Sequence, residues 1–336
     1  MKHRFLTIVL ICFVSALVFV LSFALFAVTA PSPGKPGAVP IEIPQGSSLN
    51  KIASLLEEAG AIRGRVRFKV LAKLLAVEHS LKFGEYQFSL PATPLALLDK
   101  MARGDVVAYL ITFPEGSTIF DVARNIDSAG LCPGPVMLKK ATDTKFAAAL
   151  GIAGASLEGY LFPETYKFNR GSSPEIILKR MVERFNRLFD KTMAGQAKKL
   201  GLSIKDVVIL ASLVEKETAA SREKPMVAAV FLNRLKKGMR LDCDPTVIYS
   251  LRLENPDFNE RLTKNHLRKI SPYNTYLNYG LPPGPICSPG LDSIHAVLKP
   301  IPVTYLYFVS KNDGTHHFSE TLPEHNVAVN KYQRAR

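Results

Sequence analysis

Between Phe5 and Gly34 the chain carries no charged side chain, and the run Phe5–Val28, FLTIVLICFVSALVFVLSFALFAV, is long enough to cross a bilayer as a helix rising about 1.5 Å per residue. That fixes one helix before anything else is decided. Lys2, His3 and Arg4 precede the run and the next Lys or Arg is Lys35, so the positive-inside bias keeps residues 1–4 in the cytoplasm and sends the remainder across. Val28-Thr29-Ala30 resembles a small-residue cleavage site, but the run exceeds the roughly 7–15 apolar residues of a signal peptide, which favours an uncleaved single-pass anchor over residues 5–28. The span also explains the apolar share of 47%, high for a wholly soluble chain, and 336 residues leave room for two or three domains.

Residues 29–40 contain APSPGKPGAVP, a Pro/Gly linker that cannot hold a helix. The formal net charge of +14 asks for an acidic partner. Export excludes nucleic acid and leaves an anionic membrane surface or an anionic envelope polymer. Cys12 lies in the span, and the remaining Cys132, Cys243 and Cys287 have no C-x-x-C spacing, which disfavours a zinc ribbon or redox motif. At most one disulfide can form, and Cys243 with Cys287 is the conceivable pair.

An internal repeat follows. IPQGSSLNKIASLLEEAGAI from Ile43 aligns without a gap to FPEGSTIFDVARNIDSAGLC from Phe113. Each copy reads as a strand, a Gly-Ser turn that caps a helix, and an Ala-Gly helix stop. Gly46–Ala53 resembles the start of a LysM module, a small peptidoglycan-binding fold, so residues 41–105 are read as a LysM-like domain and 106–336 as a second domain. Within the first, Gly84–Phe88 reads as a strand and Leu95–Gly104 as a helix.

Chemistry is expected in Val207–Met239, VVILASLVEKETAASREKPMVAAVFLNRLKKGM. From Val207 to Val214 only Ser212 is polar, the pattern of a core helix. Glu215 and Glu217 at its end are turned about 200° apart, so only one can face a given pocket. Glu217 continues the bulkier stripe of Leu210, Leu213 and Val214, where desolvation raises a carboxyl pKa toward what a general acid needs. Spacing alone leaves open that either Glu pairs with Lys216 or Arg222. A second helix, with Ser221 as N-cap and Pro225 in its first turn, ends at Lys236-Lys237-Gly238 and puts Asn233 on its inward face. That amide needs a partner, whether a carboxylate, a ligand or a loop backbone.

Leu157–Phe168, LEGYLFPETYKF, sets Tyr160 and other aromatics beside Glu158 and Glu164, as in a loop lining a sugar site or in any partly buried loop. Ser271–Gly290 is too rich in Pro and Gly for regular structure. Asn312-Asp313-Gly314 between Tyr305–Val309 and His316–Ser319 signals a hairpin. His316, His317 and His325 with Glu320 and Glu324 match no named metal-ligand spacing, and no metal is expected there.

LASLVEKET, VFLNRL, GMRLDCDPTVIY, SPYNTYLNYGLPPGPI, YLYFVS and HHFSETLPEHN, in this order after LEGYLFPETY, closely resemble the YceG-like family of endolytic murein transglycosylases, the MltG type. The resemblance covers Leu157 to the C-terminus. It implies an α+β protein with an N-terminal transmembrane helix, a LysM-like βα module and a mixed catalytic domain with a helical core and Pro/Gly-rich loops, held in the cell inner membrane and facing the periplasm. It further implies a lytic enzyme without cofactor or metal. Such an enzyme cuts the MurNAc–GlcNAc β-1,4 bond inside peptidoglycan strands to leave 1,6-anhydro-MurNAc ends, terminates nascent strands, and has peptidoglycan synthases as possible partners. Carried over by motif, the catalytic acid is Glu217, the second Glu of Glu-Lys-Glu. Asn233, Tyr273, Asn274 and Tyr276 are the expected substrate-lining residues, with Glu158, Tyr160, Asp244 and Thr246 of the same rank. Where the family often has Gln-Thr-Asp-Pro-Thr, this chain has Asp242-Cys243-Asp244-Pro245-Thr246. Two rival readings are a non-catalytic peptidoglycan-binding scaffold and a pyridoxal-phosphate-dependent aminodeoxychorismate lyase. The second lacks a glycine-rich phosphate loop.

Overall fold

In the computed structural model, which describes residues 2–32 and 34–334, the apolar run forms helix α1 (Lys2–Thr29). Its window Thr7–Phe26 is long and apolar enough to cross a membrane, and none of it is buried. Everything else folds as an α+β protein in two units. One comprises the chain up to Leu110 together with Lys167–Ser172, and the other Ile111–Tyr166 with everything from Ser173 onward.

The first unit is built on strands β1 (Gly37–Ile43) and β2 (Gly84–Leu90), antiparallel with Ile41 opposite Tyr86. Alternation buries Ile41 and Ile43 on one strand and Tyr86, Phe88 and Leu90 on the other. Helices α2 (Leu49–Glu58), α3 (Arg65–Leu74) and α4 (Pro94–Arg103) complete that core with Leu56, Phe68, Leu97 and Met101. The Pro/Gly stretch after α1 is engaged at two points. Ser32 exchanges hydrogen bonds with the backbone of Ala92, and Gly37–Pro40 already belongs to β1, where a two-stranded sheet leaves a free edge that tolerates Pro40.

Strand β3 (Ala108–Thr112) runs directly into the second repeat copy and pairs with β4 (Thr165–Asn169). Helix α5 (Ile119–Ser128) follows the turn as α2 does. The two copies share backbone geometry at their turns. Gly46 and Gly116 are left-handed at φ 76° and 78°, and Gly60 and Gly130 at 70° and 66°. Ser48 and Thr118 cap the N-termini, and Ser47 and Ser117 each donate a backbone hydrogen bond of 3.2 Å to the proline three residues before. The matching residues therefore mark backbone geometry rather than a shared surface.

Beyond α5, α6 (Gly134–Ala141) and α7 (Thr144–Ala149) lead to the buried segment Leu157–Phe162, and α8 (Pro174–Leu188) and α9 (Lys191–Lys199) lead to α10 (Ile204–Glu217). Ser203 and Asp206 form a capping box at the start of α10, and Val207–Val214 are fully buried, as an all-apolar helix requires. It packs against α11 (Lys224–Lys236) and α14 (Leu291–Leu298). Helix α10 stops because Thr218 is extended (φ −143°, ψ 132°), which leaves Glu217 on its last turn.

Helix α11 differs from expectation at its start. Its N-cap position is Glu223, not Ser221, and Glu223 makes no cap because His316 takes its carboxylate, Nδ1 at 2.7 Å and backbone N–H at 3.1 Å. Helices α12 (Asp244–Arg252) and α13 (Lys264–Leu267) and the irregular Ser271–Gly290 follow. The chain closes with the hairpin β5 (Tyr307–Ser310) and β6 (His316–Ser319), Val309 opposite His317, and with α15 (Leu322–Val329). Asn312 and Gly314 supply the positive φ its turn needs. Cys243 and Cys287 are both buried and unbonded. Cys287 instead donates to the carbonyl of Ser212 at 3.4 Å.

Candidate active site

The two carboxylates that end α10 have opposite surroundings. Glu215 is closed in by three donors that make four hydrogen bonds: Lys224 Nζ at 3.0 and 3.1 Å, the backbone N–H of Gly290 at 2.9 Å and the Ser293 hydroxyl at 2.6 Å. Glu115 adds a second acid 3.7 Å from the same lysine, which is itself buried. Both oxygens of Glu215 are thus engaged by the frame that joins α10, α11 and α14.

Glu217, turned the other way, faces a cavity of about 490 Å³ lined also by Arg234, Leu241, Asp242, Asp244, Tyr276, Tyr307, Phe308, Leu322 and His325. Desolvation is the main reason its pKa is pushed up to about 7. The charge of Asp244 pushes the same way, while a hydrogen bond from the Cys243 thiol and electrostatic attraction from His316 and Arg234 pull it down. The carbonyl end of α10 also disfavours a negative charge at this position. A carboxyl group in this state holds a proton near neutrality and can release it to a base in the cavity.

Arg234 shapes the opposite wall. Its Nε donates to the carbonyl of Leu306 at 2.7 Å, and Nη1 donates to the carbonyls of Arg240 and Leu241 at 3.2 and 3.0 Å and to Asp242 Oδ2 at 3.1 Å. It thereby ties the residue before β5 to the segment before α12, and its guanidinium carbon lies 5.2 Å from the ring centre of Tyr307. Asp242 sits in the left-handed region at φ 48°, which Asp tolerates better than most residues. Asp244, in the first turn of α12, accepts from the Tyr276 hydroxyl at 2.7 Å. His325 stacks on Tyr307 at 5.2 Å, and burial lowers its pKa, so it enters the wall as a neutral ring.

Of the residues singled out in the sequence, Glu217, Asp244 and Tyr276 meet at this cavity. The others lie elsewhere. Asn233 donates its amide to the carbonyls of Val303 and Tyr305 at 2.8 and 3.0 Å, so the partner it required is a loop backbone. Asn274 is buried and donates to the carbonyls of Leu267 and Lys269. Thr246 bonds the carbonyl of Cys243 at 2.7 Å and shares a bond with Thr275. Tyr160 packs edge-on to Phe185 beside a separate hollow near the start of α10. Glu158 is buried at the N-terminus of α5, where it accepts from the N–H groups of Ile119 and Gly159 and from the Tyr249 hydroxyl. Burial pushes its pKa up to about 7. Tyr273 packs against Tyr249 with ring centres 5.0 Å apart and planes tilted by 57°. Leu157–Phe162 is buried, and Tyr160 also lines that separate hollow. Arg234, Tyr307 and Cys243 were missed as site residues, although an arginine following the apolar run Met226–Leu232 is itself a signal.

Known proteins resemble this chain over most of its length. Residues 41–331 match the YceG-like family. The endolytic murein transglycosylase of Bacillus subtilis (strain 168) is 34% identical over 310 residues, covering 88% of this chain and 84% of the relative. That of Streptococcus pneumoniae serotype 2 is 28% identical over 323 residues, covering 87% of this chain but only 58% of the relative. A 2.6 Å crystal structure of a yceG-like protein from Listeria monocytogenes superposes with a TM-score of 0.60 at 33% identity, over 88% of this chain and the whole of that one.

Proposed function

The chain belongs to the YceG-like family, and on that premise we propose that it is an endolytic murein transglycosylase that cleaves the MurNAc–GlcNAc β-1,4 bond within peptidoglycan strands and leaves 1,6-anhydro-MurNAc ends. The observation that carries this reading is Glu217, a carboxyl group lifted to about 7 on a cavity wall, beside a Glu215 whose oxygens are all engaged.

One carboxyl group suffices for the lytic reaction. Glu217 donates its proton to the glycosidic oxygen as the C1–O bond breaks and GlcNAc leaves. The resulting carboxylate then takes the proton of the MurNAc C6 hydroxyl as O6 bonds to C1, so that acid is regenerated and no water is consumed. A hydrolytic glycosidase needs two carboxylates on the scissile bond for comparable work. The oxocarbenium-like charge that develops at C1 would be favoured by the acidic wall of Asp244, which Tyr276 holds in place. Helix α1 would act as a single-pass anchor with residues 1–4 in the cytoplasm and both units outside it. The first unit would serve as a LysM-like glycan-binding module, and the enzyme would cut nascent strands close to the membrane where synthases extend them.

The test is digestion of purified peptidoglycan by the detergent-solubilised full chain and its Glu217→Gln variant, read by mass spectrometry. Anhydro-muropeptides from the wild type and none from the variant are the expected result. Reducing ends in their place would make water the nucleophile, and an unchanged glycan with both proteins would leave a binding scaffold.

A further inference from the structure

Helix α3 turns an apolar stripe to solvent that its own unit does not use. Phe68, Leu71 and Ala72 point into the core, whereas Val66, Val70 and Leu74, each one turn beyond the last, are 71%, 39% and 74% exposed. At about 100° per residue, Lys69 and Lys73 flank the stripe on one side and Arg67 on the other. The helix contains no acidic residue, and exposed Arg63 precedes it. An apolar face edged by cations whose aliphatic stems lie along it is the pattern of a helix resting in a membrane interface.

Two contacts say what covers the stripe. Helix α3 packs against α1, and the guanidinium of Arg67 lies 4.5 Å from the ring centre of Phe26, the last residue of the bilayer-length apolar window. The stripe therefore begins at the level where the span ends. Its charge is complementary to anionic headgroups and is concentrated within a Debye length of them.

We propose that α3 lies in the interface of the bilayer that α1 crosses, with Val66, Val70 and Leu74 in the acyl boundary and Arg63, Lys69 and Lys73 on the phosphates of anionic lipids. The proposal rests on the reading of α1 as the anchor. It gives the first unit a second attachment, so that this unit is held against the membrane surface and not merely tethered to it.

The chain has no tryptophan, so a single introduced indole reports its own surroundings. The full chain is reconstituted into phosphatidylcholine/phosphatidylglycerol vesicles carrying acyl-chain quenchers, as three separate variants. These are Leu74→Trp on the stripe, Phe19→Trp in the span, and Ile270→Trp as a solvent reference at a position 92% exposed. Expected are a blue-shifted Leu74→Trp emission quenched several-fold more by a shallow label than that of Ile270→Trp, with the quenching at least halved by adding Lys69→Glu and Lys73→Glu. Quenching of Leu74→Trp no stronger than that of Ile270→Trp overturns the proposal. If Phe19→Trp is then still quenched by a deep label, only α3 has failed, and if it is not, the anchor has failed too. Quenching of Leu74→Trp that is indifferent to the charge reversals and to replacing all phosphatidylglycerol overturns the assignment of anionic lipid.

Discussion

Glu217 and Glu158 show how two carboxyl groups of nearly equal acidity serve different ends, one on a cavity wall and one sealed at a helix N-terminus. Since Glu217 must be protonated to act as acid and its pKa stands near 7, kcat/KM on glycan strands should hold below that pH and fall about tenfold per unit above it. The Cys243 thiol pulls that pKa down, so Cys243→Ala should move the alkaline limb to higher pH, and a limb that stays put would remove the thiol from the account. For Glu158 the consequence is stability. Its folded pKa is raised to about 7 above an ordinary 4.5, so the folded state keeps a proton the unfolded state has lost, and stability declines as pH rises between those values. Urea denaturation should find wild type losing roughly 3 kcal/mol relative to Glu158→Gln between pH about 4.5 and 7, and nothing further above. The opposite facing of Glu215 and Glu217 was legible from residue spacing, because helix geometry alone sets it. The partners of Glu215 were not, since Gly290 and Ser293 lie 75 and 78 residues further on.

At the scale of elements, α10 could be read from its sequence because a helix apolar on every side has nowhere to go but the core. The hairpin and both repeat copies were readable for a similar reason, since their glycines and caps are local chemistry. LEGYLFPETYKF could not be decided from its residues, as aromatics beside carboxylates suit a sugar site and a core alike. Gly159 in that segment shows what closed it. It is left-handed at φ 86°, and a Cβ there would stand 2.5 Å from the Pro285 ring and 2.9 Å from Val208 of α10. Gly159→Ala should therefore cost about 2–5 kcal/mol from backbone strain and overpacking together, seen as a large fall in Tm by calorimetry. A fall of a degree or less would mean that the loop carrying Pro285 yields easily.

For the whole molecule, the net charge of +14 was legible at once, and it bears on how the protein meets its polymer. Sedimentation of the Glu217→Gln variant with peptidoglycan should show binding that weakens severalfold between about 50 mM and 500 mM salt, where the Debye length shortens. Binding indifferent to salt would put the affinity in stacking and hydrogen bonds. What no local signal announced is the return of Lys167–Ser172 to the first unit, because the pairing of β3 with β4 joins residues more than fifty positions apart. The polypeptide consequently passes between units three times, at 110/111, 166/167 and 172/173. No single proteolytic nick can release either unit entire, and no truncation at one codon can express one without a fragment of the other. In recombination such a pair is inherited as one cassette, so the first unit cannot be exchanged entire by a single crossover while the carrier of Glu217 stays intact.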